Sequence, residues 1–254
     1  VNYYLNLLIF LFLHINFWFV ISLIKKRNDI ADVAWGLGFV FLAWLSVFIG
    51  DNVSFRGILL SVLVTAWGLR LAWHIWSRHK GKGEDYRYLA WRKTWGKWFF
   101  IRSYFQVFLL QGVLLFIVAT PILLINKSSS VTLGVLDYIG LVIWLFGFCF
   151  EVISDWQLAR FINNPVNKGS LIQSGLWSYS RHPNYFGEVC LWWGVAFMAF
   201  SGSYSLIAFI GPITLTFLIL KVSGIPMLEK KMSQHPDFAN YAKKVPVFIP
   251  NFFK

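Results

Sequence analysis

Charge is scarce in this chain, and acidic charge scarcest. Only 13% of its 254 residues are charged, and 23 Lys and Arg stand against 11 Asp and Glu. Soluble domains carry about 25% charged residues, so a soluble globular fold is excluded. The formal net charge of +12 would suggest nucleic acid if the chain were soluble. In a chain this apolar it is accounted for by the excess of Lys and Arg on the cytoplasmic side of membrane proteins, and no nucleic-acid partner is expected. The only cysteines are Cys149 and Cys190, both within apolar stretches, which argues against a disulfide framework. His182 and His235 have no clustered ligand set around them, so no metal site is expected. There is no dinucleotide fingerprint and no phosphate-binding loop, since Gly81 and Gly83 belong to a turn over Lys80–Glu84. Gly-x-Ser-x-Gly is absent as well, which leaves a hydrolase elbow unsupported.

Apolar length is abundant. Hydrophobic residues make up 57% and aromatic residues 20% of the chain. A helix needs about 20 apolar residues to cross the hydrocarbon core. Seven spans are expected, over Tyr3–Ile24, Ile30–Ile49, Gly57–Ser77, Tyr104–Ile125, Val135–Ser154, Tyr185–Phe200 and Tyr204–Val222. The last two form a hairpin across Ser201-Gly202-Ser203. The first run has no basic stretch before it and no small-residue cleavage site, so a span is expected there and not a cleaved leader. Placing Lys25-Lys26-Arg27 in the cytoplasm puts every Lys and Arg inside except Arg56, Arg70 and Lys127. The reading is an all-α membrane protein of about seven transmembrane helices, with the N-terminus out and the C-terminus cytoplasmic. It is one integral membrane domain over 1–254, with the cofactor site in about 151–254.

Polar groups inside spans are costly and therefore draw attention. Glu151 and Asp155 stand four apart near the inner end of the fifth span, and so share a helix face. Asn184 and Glu188 repeat the spacing at the start of the sixth. Asp32 opens the second span, and Arg70, His74 and Arg78 step down one face of the third. Charge pairs that merely hold helices together would give the same pattern. Carboxylates and an amide facing loops rich in Arg, Lys, Tyr and Trp also suit a nucleotide-like cofactor, binding ribose hydroxyls with the first and phosphates with the second. A transporter fits less well, because these residues crowd one side of the membrane and not its midplane.

The stretch Ser174-Gly-Leu-Trp-Ser-Tyr-Ser-Arg-His-Pro-Asn-Tyr-Phe-Gly-Glu188 resembles the steroid 5-alpha-reductase and isoprenylcysteine methyltransferase superfamily of integral membrane enzymes. It looks most like an uncharacterised, largely bacterial branch of 5-alpha-reductase-like proteins. Asp32-Val-Ala-Trp-Gly36, Trp67-Gly-Leu-Arg70 through Arg87, and Val222-Ser-Gly-Ile-Pro-Met-Leu-Glu229 extend the resemblance along most of the chain. Reductases of the superfamily use NADPH and its methyltransferases use S-adenosylmethionine. Asn184-x-x-Gly-Glu188, and Asp155 followed by Arg160, look like the reductases; Glu229 before Lys230 and Lys231 looks somewhat like the methyltransferases. The resemblance implies that Asp155, Arg160, Asn184 and Glu188 touch NADPH, and the expected cofactor site adds Glu151, Tyr179, Arg181, His182 and Tyr185, with Arg87. It also implies reduction of an activated C=C bond in a lipophilic substrate; the chemistry needs a donor that stabilises an enolate, and the candidates are Asp32 (as a neutral acid), Tyr86 and Tyr88. Arg87, Arg92 and Arg102 would hold phosphates, and Arg92 and Arg102 serve equally as groups facing lipid headgroups. The alternatives are methyl transfer from S-adenosylmethionine to a lipid or lipidated thiol, and a non-catalytic membrane binding protein. A bacterial inner membrane with a cytoplasm-facing site is the expected location.

Overall fold

Long apolar runs without interior breakers leave the backbone one way to satisfy its polar groups in lipid, which is the helix. A computed structural model describes residues 2–51, 53–127, 132–203 and 205–253, and all regular structure among them is helical. The helices are α1 Tyr3–Lys25, α2 Ile30–Ile49, α3 Phe55–His79, α4 Tyr86–Trp95, α5 Phe99–Ser103, α6 Leu110–Val118, α7 Thr120–Lys127, α8 Val135–Asn163, α9 Pro183–Ser203, α10 Ile210–Phe217, α11 Ile225–Met232 and α12 Phe238–Lys244. Six helical stretches among the described residues are long and apolar enough to cross a membrane: α1, α2, α3, Tyr86–Val118, α8 and Leu206–Met232. The chain is a multi-pass membrane protein, and the lipid-facing surface of α1 illustrates it, with Phe12, Leu13, Phe17 and Ile24 all exposed.

Several expectations need correction. The sixth expected span, over 185–200, exists as α9, which is long enough but is not among the six. Its first two turns carry Pro183, Asn184, Tyr185 and Glu188, which dilute its apolar content. The Ser201–Ser203 turn is instead the last turn of α9. Tyr204, the expected start of the last span, lies outside the described residues. The fourth span was expected over 104–125, but helical structure begins at Tyr86 and breaks after Val118 before resuming as α7. The break follows from Pro121, which has no N–H for the Ile117 carbonyl; the Thr120 hydroxyl donates to that carbonyl instead, at 2.6 Å.

The chain forms two compact units, one of Val1–Leu133 with Gly202–Ala208 and the other of Gly134–Ser201 with Phe209–Lys254. In the first, α2 and α3 approach so closely that a Cβ on Gly36 would sit 2.6 Å from the Gly68 carbonyl, and one on Gly68 2.7 Å from that of Gly36. These are the glycines of Asp32–Gly36 and Trp67–Arg70, so part of those motifs is a packing device. Asn126 ties α7 to α2 by donating to the Ala43 carbonyl (3.3 Å) and Ser46 Oγ (2.7 Å). In the second unit α8 and α9 meet through two glycine pairs. A Cβ on Gly140 would lie 2.6 Å from the Gly194 carbonyl, and one on Gly147 2.6 Å from that of Gly187. Both pairs step by seven residues, two helical turns, so one face of each helix is open to backbone approach.

Candidate functional site

The glycine pairs of α8 and α9 decide which polar groups can meet. Glu151 follows Gly147 by four residues and Asp155 by eight, so all three lie on the face pressed against α9. Glu151 is 2% exposed and Asp155 is buried too. From α9, Asn184 Nδ2 donates to Asp155 Oδ1 at 3.1 Å, and Glu188 stands one turn further on. The structure thus brings Asp155 and Asn184 together with Glu151 beside them.

The segment leading into α9 is held by backbone bonds to its neighbours. Gly175 adopts φ +61°, and any Cβ there would meet the Gln157 side chain at 2.5–2.6 Å. Gln157 Oε1 in turn accepts from the Leu176 N–H at 2.9 Å. Trp177 Nε1 donates to the Ser154 carbonyl at 3.0 Å, and the Tyr241 hydroxyl donates to the Trp177 carbonyl at 2.6 Å. Burial raises the Tyr241 hydroxyl far above its usual range, so it stays a donor.

Arg181 and His182 turn toward the C-terminal part of the chain. Arg181 makes a two-point contact with Glu229, through Nε at 3.0 Å and Nη2 at 2.7 Å, and its Nη1 donates to the carbonyls of Ala242 (3.2 Å) and Val245 (2.6 Å). Its own backbone N–H donates to the Pro246 carbonyl at 2.9 Å. The Ser180 hydroxyl donates to the Phe248 carbonyl at 2.7 Å, and the Asn251 N–H to the Tyr179 carbonyl at 3.0 Å. Residues 246–251 are therefore strapped along Tyr179–Arg181, with Phe252 against the Tyr179 ring. His182 is 1% exposed; its Nε2 lies 2.7 Å from Glu229 Oε1 and its ring stacks on Tyr185. Burial lowers the imidazole below its ordinary range, more than the Glu229 carboxylate raises it, and the Arg181 charge lowers it further. Arg160 is exposed and lies over the Trp156 ring.

A second polar cluster forms within the other unit. Asp32 accepts from Arg87 Nη2 at 2.7 Å and from the Tyr88 hydroxyl at 3.0 Å. Asp85 caps α4 by accepting from the Arg87 N–H at 2.9 Å, and holds Arg87 Nε at 3.0 Å. Burial acts to raise the Asp85 carboxyl, but the nearby His79 imidazole and hydrogen bonds from the Arg87 backbone and side chain outweigh it and hold it far below the usual range. Asp29 grips Arg27 at two points, 2.7 Å each, and accepts from the Asp85 N–H at 3.0 Å. Its carboxyl is likewise held low, against burial, by the Arg27 and Asp85 hydrogen bonds. Tyr88 is 3% exposed whereas Tyr86 is 46% exposed. The structure thus joins Asp32 to Tyr88 and leaves Tyr86 at the surface. Asp32 acts here as the acceptor of an ion pair, which departs from the neutral donor expected of it. Arg87, expected at phosphate, bridges Asp32 and Asp85. Among the described residues no group of three or more His, Cys, Asp or Glu is placed to hold a metal ion.

A profile of a family described as proteins of unknown function, DUF1295, matches residues 18–245. The chain belongs to the DUF1295 family. The match takes in both polar clusters and ends at Val245, just before the strap residues that bond to Tyr179–Arg181. An uncharacterized protein of Schizosaccharomyces pombe is 26% identical over 261 residues, covering 90% of this chain and 72% of the yeast protein. No solved structure matches. The role of Glu229 as partner of Arg181 and His182, and those of Gln157, Trp177 and Tyr241, escaped the sequence reading. The signal that was available is the DUF1295 chain's strong shortage of acids: with so few, each acid near an inner helix end has many basic groups to meet.

Proposed function

We propose that this DUF1295 protein is a membrane-embedded reductase that uses NADPH to reduce an activated C=C bond in a lipophilic substrate. The reading rests on the resemblance of Ser174–Glu188 to the 5-alpha-reductase superfamily. The observation that carries it is the Asn184–Asp155 hydrogen bond across the glycine-paired helices, with Glu151 buried beside it. An amide and carboxylates held this way suit the ribose hydroxyls and carboxamide of a nicotinamide nucleotide. When bound, NADPH would supply a hydride to the carbon beta to a carbonyl. The chain would bind the nucleotide with Asp155, Asn184 and Glu188. A hydrogen-bond donor to the developing enolate oxygen would complete the reduction. The charge asymmetry of the loops supports a cytoplasm-facing site.

One observation favours a second reading. Arg87 and Arg181 are both already ion-paired, with Asp32 and Asp85 and with Glu229. S-Adenosylmethionine has no phosphates and makes no demand on them, so methyl transfer to a lipid or lipidated thiol is the alternative. In the reductase reading phosphate falls to Arg160 and Lys168.

The test is thermal stability of the detergent-solubilised protein with NADPH, NADH and S-adenosylmethionine. Ligand at 100 times its dissociation constant stabilises by about 2.7 kcal/mol. Stabilisation by NADPH that is lost in Asn184→Ala/Glu188→Ala supports the reductase. Stabilisation by S-adenosylmethionine instead supports the methyltransferase. A response to neither, with function unaffected by Asn184→Ala/Glu188→Ala, points to a non-catalytic binding protein.

A further inference from the structure

The segment between α3 and α6 is longer than a crossing requires. Helical structure spans 33 residues over Tyr86–Val118, against the about 20 that cross the hydrocarbon core. Its first part is also set off from the rest. Gly96 takes φ +49°, a conformation that favours glycine, and divides α4 from α5. The polar stretch from Arg78 to Arg102 is thus left outside the apolar part of the span.

The basic residues of this stretch are of two kinds. Arg87 is held by Asp32 and Asp85, and Arg92 by Glu84 through contacts of 3.1 Å. Glu84 and Asp85, the acids of the stretch, are both engaged in this way, Asp85 meeting His79 as well. Arg78, Lys80, Lys82, Lys93, Lys97 and Arg102 are all exposed. The network therefore turns both acids inward and leaves an outer face that is purely cationic. That face is interleaved with exposed rings. Lys80 lies over Trp76 at 5.0 Å and Lys97 over Trp98 at 5.8 Å, and Phe100 and Ile101 are exposed beside them. Amphipathic aromatic rings alternating with Lys and Arg suit the headgroup layer, where the ring sits at the interface and the cation meets phosphate.

We propose that residues 78–102 form a docking surface for anionic lipid headgroups, with Lys80, Lys93, Lys97 and Arg102 as its cations. Arg87 and Arg92 are not part of it; they anchor the surface to the unit from within. The proposal does not depend on the reductase reading, since its test contains no nucleotide.

The full chain, reconstituted in phosphatidylcholine nanodiscs, is probed with spin-labelled phosphatidylglycerol and separately with spin-labelled phosphatidylcholine. The protein-immobilised fraction gives their relative association. Wild type should prefer the anionic lipid about fivefold, a typical effect of a single well-placed cation at a membrane surface. The preference should fall toward one in Lys93→Gln/Lys97→Gln/Arg102→Gln and persist in the tail variant Lys243→Gln/Lys244→Gln. Raising NaCl to about 0.5 M on unaltered protein should weaken it through screening, whatever the variants do to folding. Equal association of the two lipids with wild type overturns the proposal, as does preference retained in the triple variant or lost in the tail variant. Displacement by inorganic phosphate beyond that of NaCl at equal ionic strength also overturns it, because it marks a discrete phosphate pocket.

Discussion

Removing both partners of the Arg181–Glu229 pair should cost less than the sum of the two single removals. The two side chains are 11% and 21% exposed, and Arg181 also satisfies the carbonyls of Ala242 and Val245. Arg181→Met leaves the Glu229 carboxylate with His182 as its remaining partner here and strands those carbonyls. Breaking a buried pair in this way costs about 3–5 kcal/mol. The partial exposure of Glu229 argues for the lower figure. At roughly 2–4 °C per kcal/mol for a chain of this size, the apparent Tm should drop by about 6–12 °C. Glu229→Gln keeps the shape while removing the charge, and should cost about 2 kcal/mol by loss of charge-assisted bonds. The double variant should fall short of the sum by at least about 1.5 kcal/mol, as expected of residues in direct contact. Intrinsic fluorescence unfolding in detergent, repeated at several scan rates because membrane proteins unfold irreversibly, measures all four species. Trypsin gives an independent readout: with Arg181 gone the strap is released, and cleavage after Lys243 and Lys244 should accelerate. Additive single effects, or a shift below about 2 °C for Arg181→Met, would refute the assignment of this pair as the clasp of the strap.

Three further outcomes are expected. In Gly187→Ala the new Cβ meets Glu151 N and the Gly147 carbonyl, both at 2.6 Å; backbone cannot yield as a side chain does, so a loss of about 3 kcal/mol, at the upper end for overpacking, should accompany weakened NADPH stabilisation, and a wild-type Tm would count against the close α8–α9 contact. The depressed His182 imidazole means that the unfolded chain takes up its proton first as pH falls, so this contribution is whole above the ordinary imidazole value of about 6.5 and lost below it. Tm between pH 8 and 5 should fall on the acid side less steeply in His182→Gln than in wild type, and equal slopes would rule His182 out; the stability that the low-lying carboxyls of Asp29 and Asp85 provide is whole across this range and is lost only below about pH 4. Tyr88→Phe removes a buried hydroxyl from Asp32 and should cost about 1–2 kcal/mol, while Tyr86→Phe at the surface should change stability by less than about 0.5 kcal/mol; the reverse order in a melting assay would sink the Asp32–Tyr88 assignment.

The spans were legible because the bilayer imposes a length on uninterrupted apolar runs, and α1, α2 and α8 begin where those runs begin. What failed to show was α4. Tyr86–Trp95 mixes aromatic, basic and polar residues with no clean apolar stripe, so it reads as a loop. Its helix is set by contacts with residues far away in sequence: Arg87 and Tyr88 reach Asp32, 55 and 56 positions earlier. The early end of α6 was open to inspection, since Pro121 lies inside an expected span and a proline there leaves a carbonyl unanswered. At the site, spacing of four identified Glu151 with Asp155 and Asn184 with Glu188, because a single helix fixes those relations. Which arginines are already neutralised is a property of the tertiary fold. Glu229 lies 48 positions from Arg181, and no local pattern announces that pairing.

That distinction divides the Ser174–Glu188 motif into two halves with different duties. The side chains of Trp177, Ser180, Arg181 and His182 bond to Ser154, Phe248, Glu229 and the Val245 carbonyl, so they hold one part of the chain to another. Asn184 and Gly187 face α8, where Asp155 and Glu151 lie, and Glu188 follows Asn184 by one helical turn. A resemblance covering the whole motif assigns all of these to one cofactor; the geometry separates them. Arg181→Lys should therefore lower Tm, because an ammonium cannot reproduce the two-point contact, while leaving the increment added by a bound nucleotide nearly intact. Asn184→Ala should do the opposite, with a small change in Tm alone and loss of the ligand increment. Should Arg181→Lys abolish the ligand increment while sparing Tm, the first half belongs to the ligand after all, and Glu229 is its counter-ion and not a clasp.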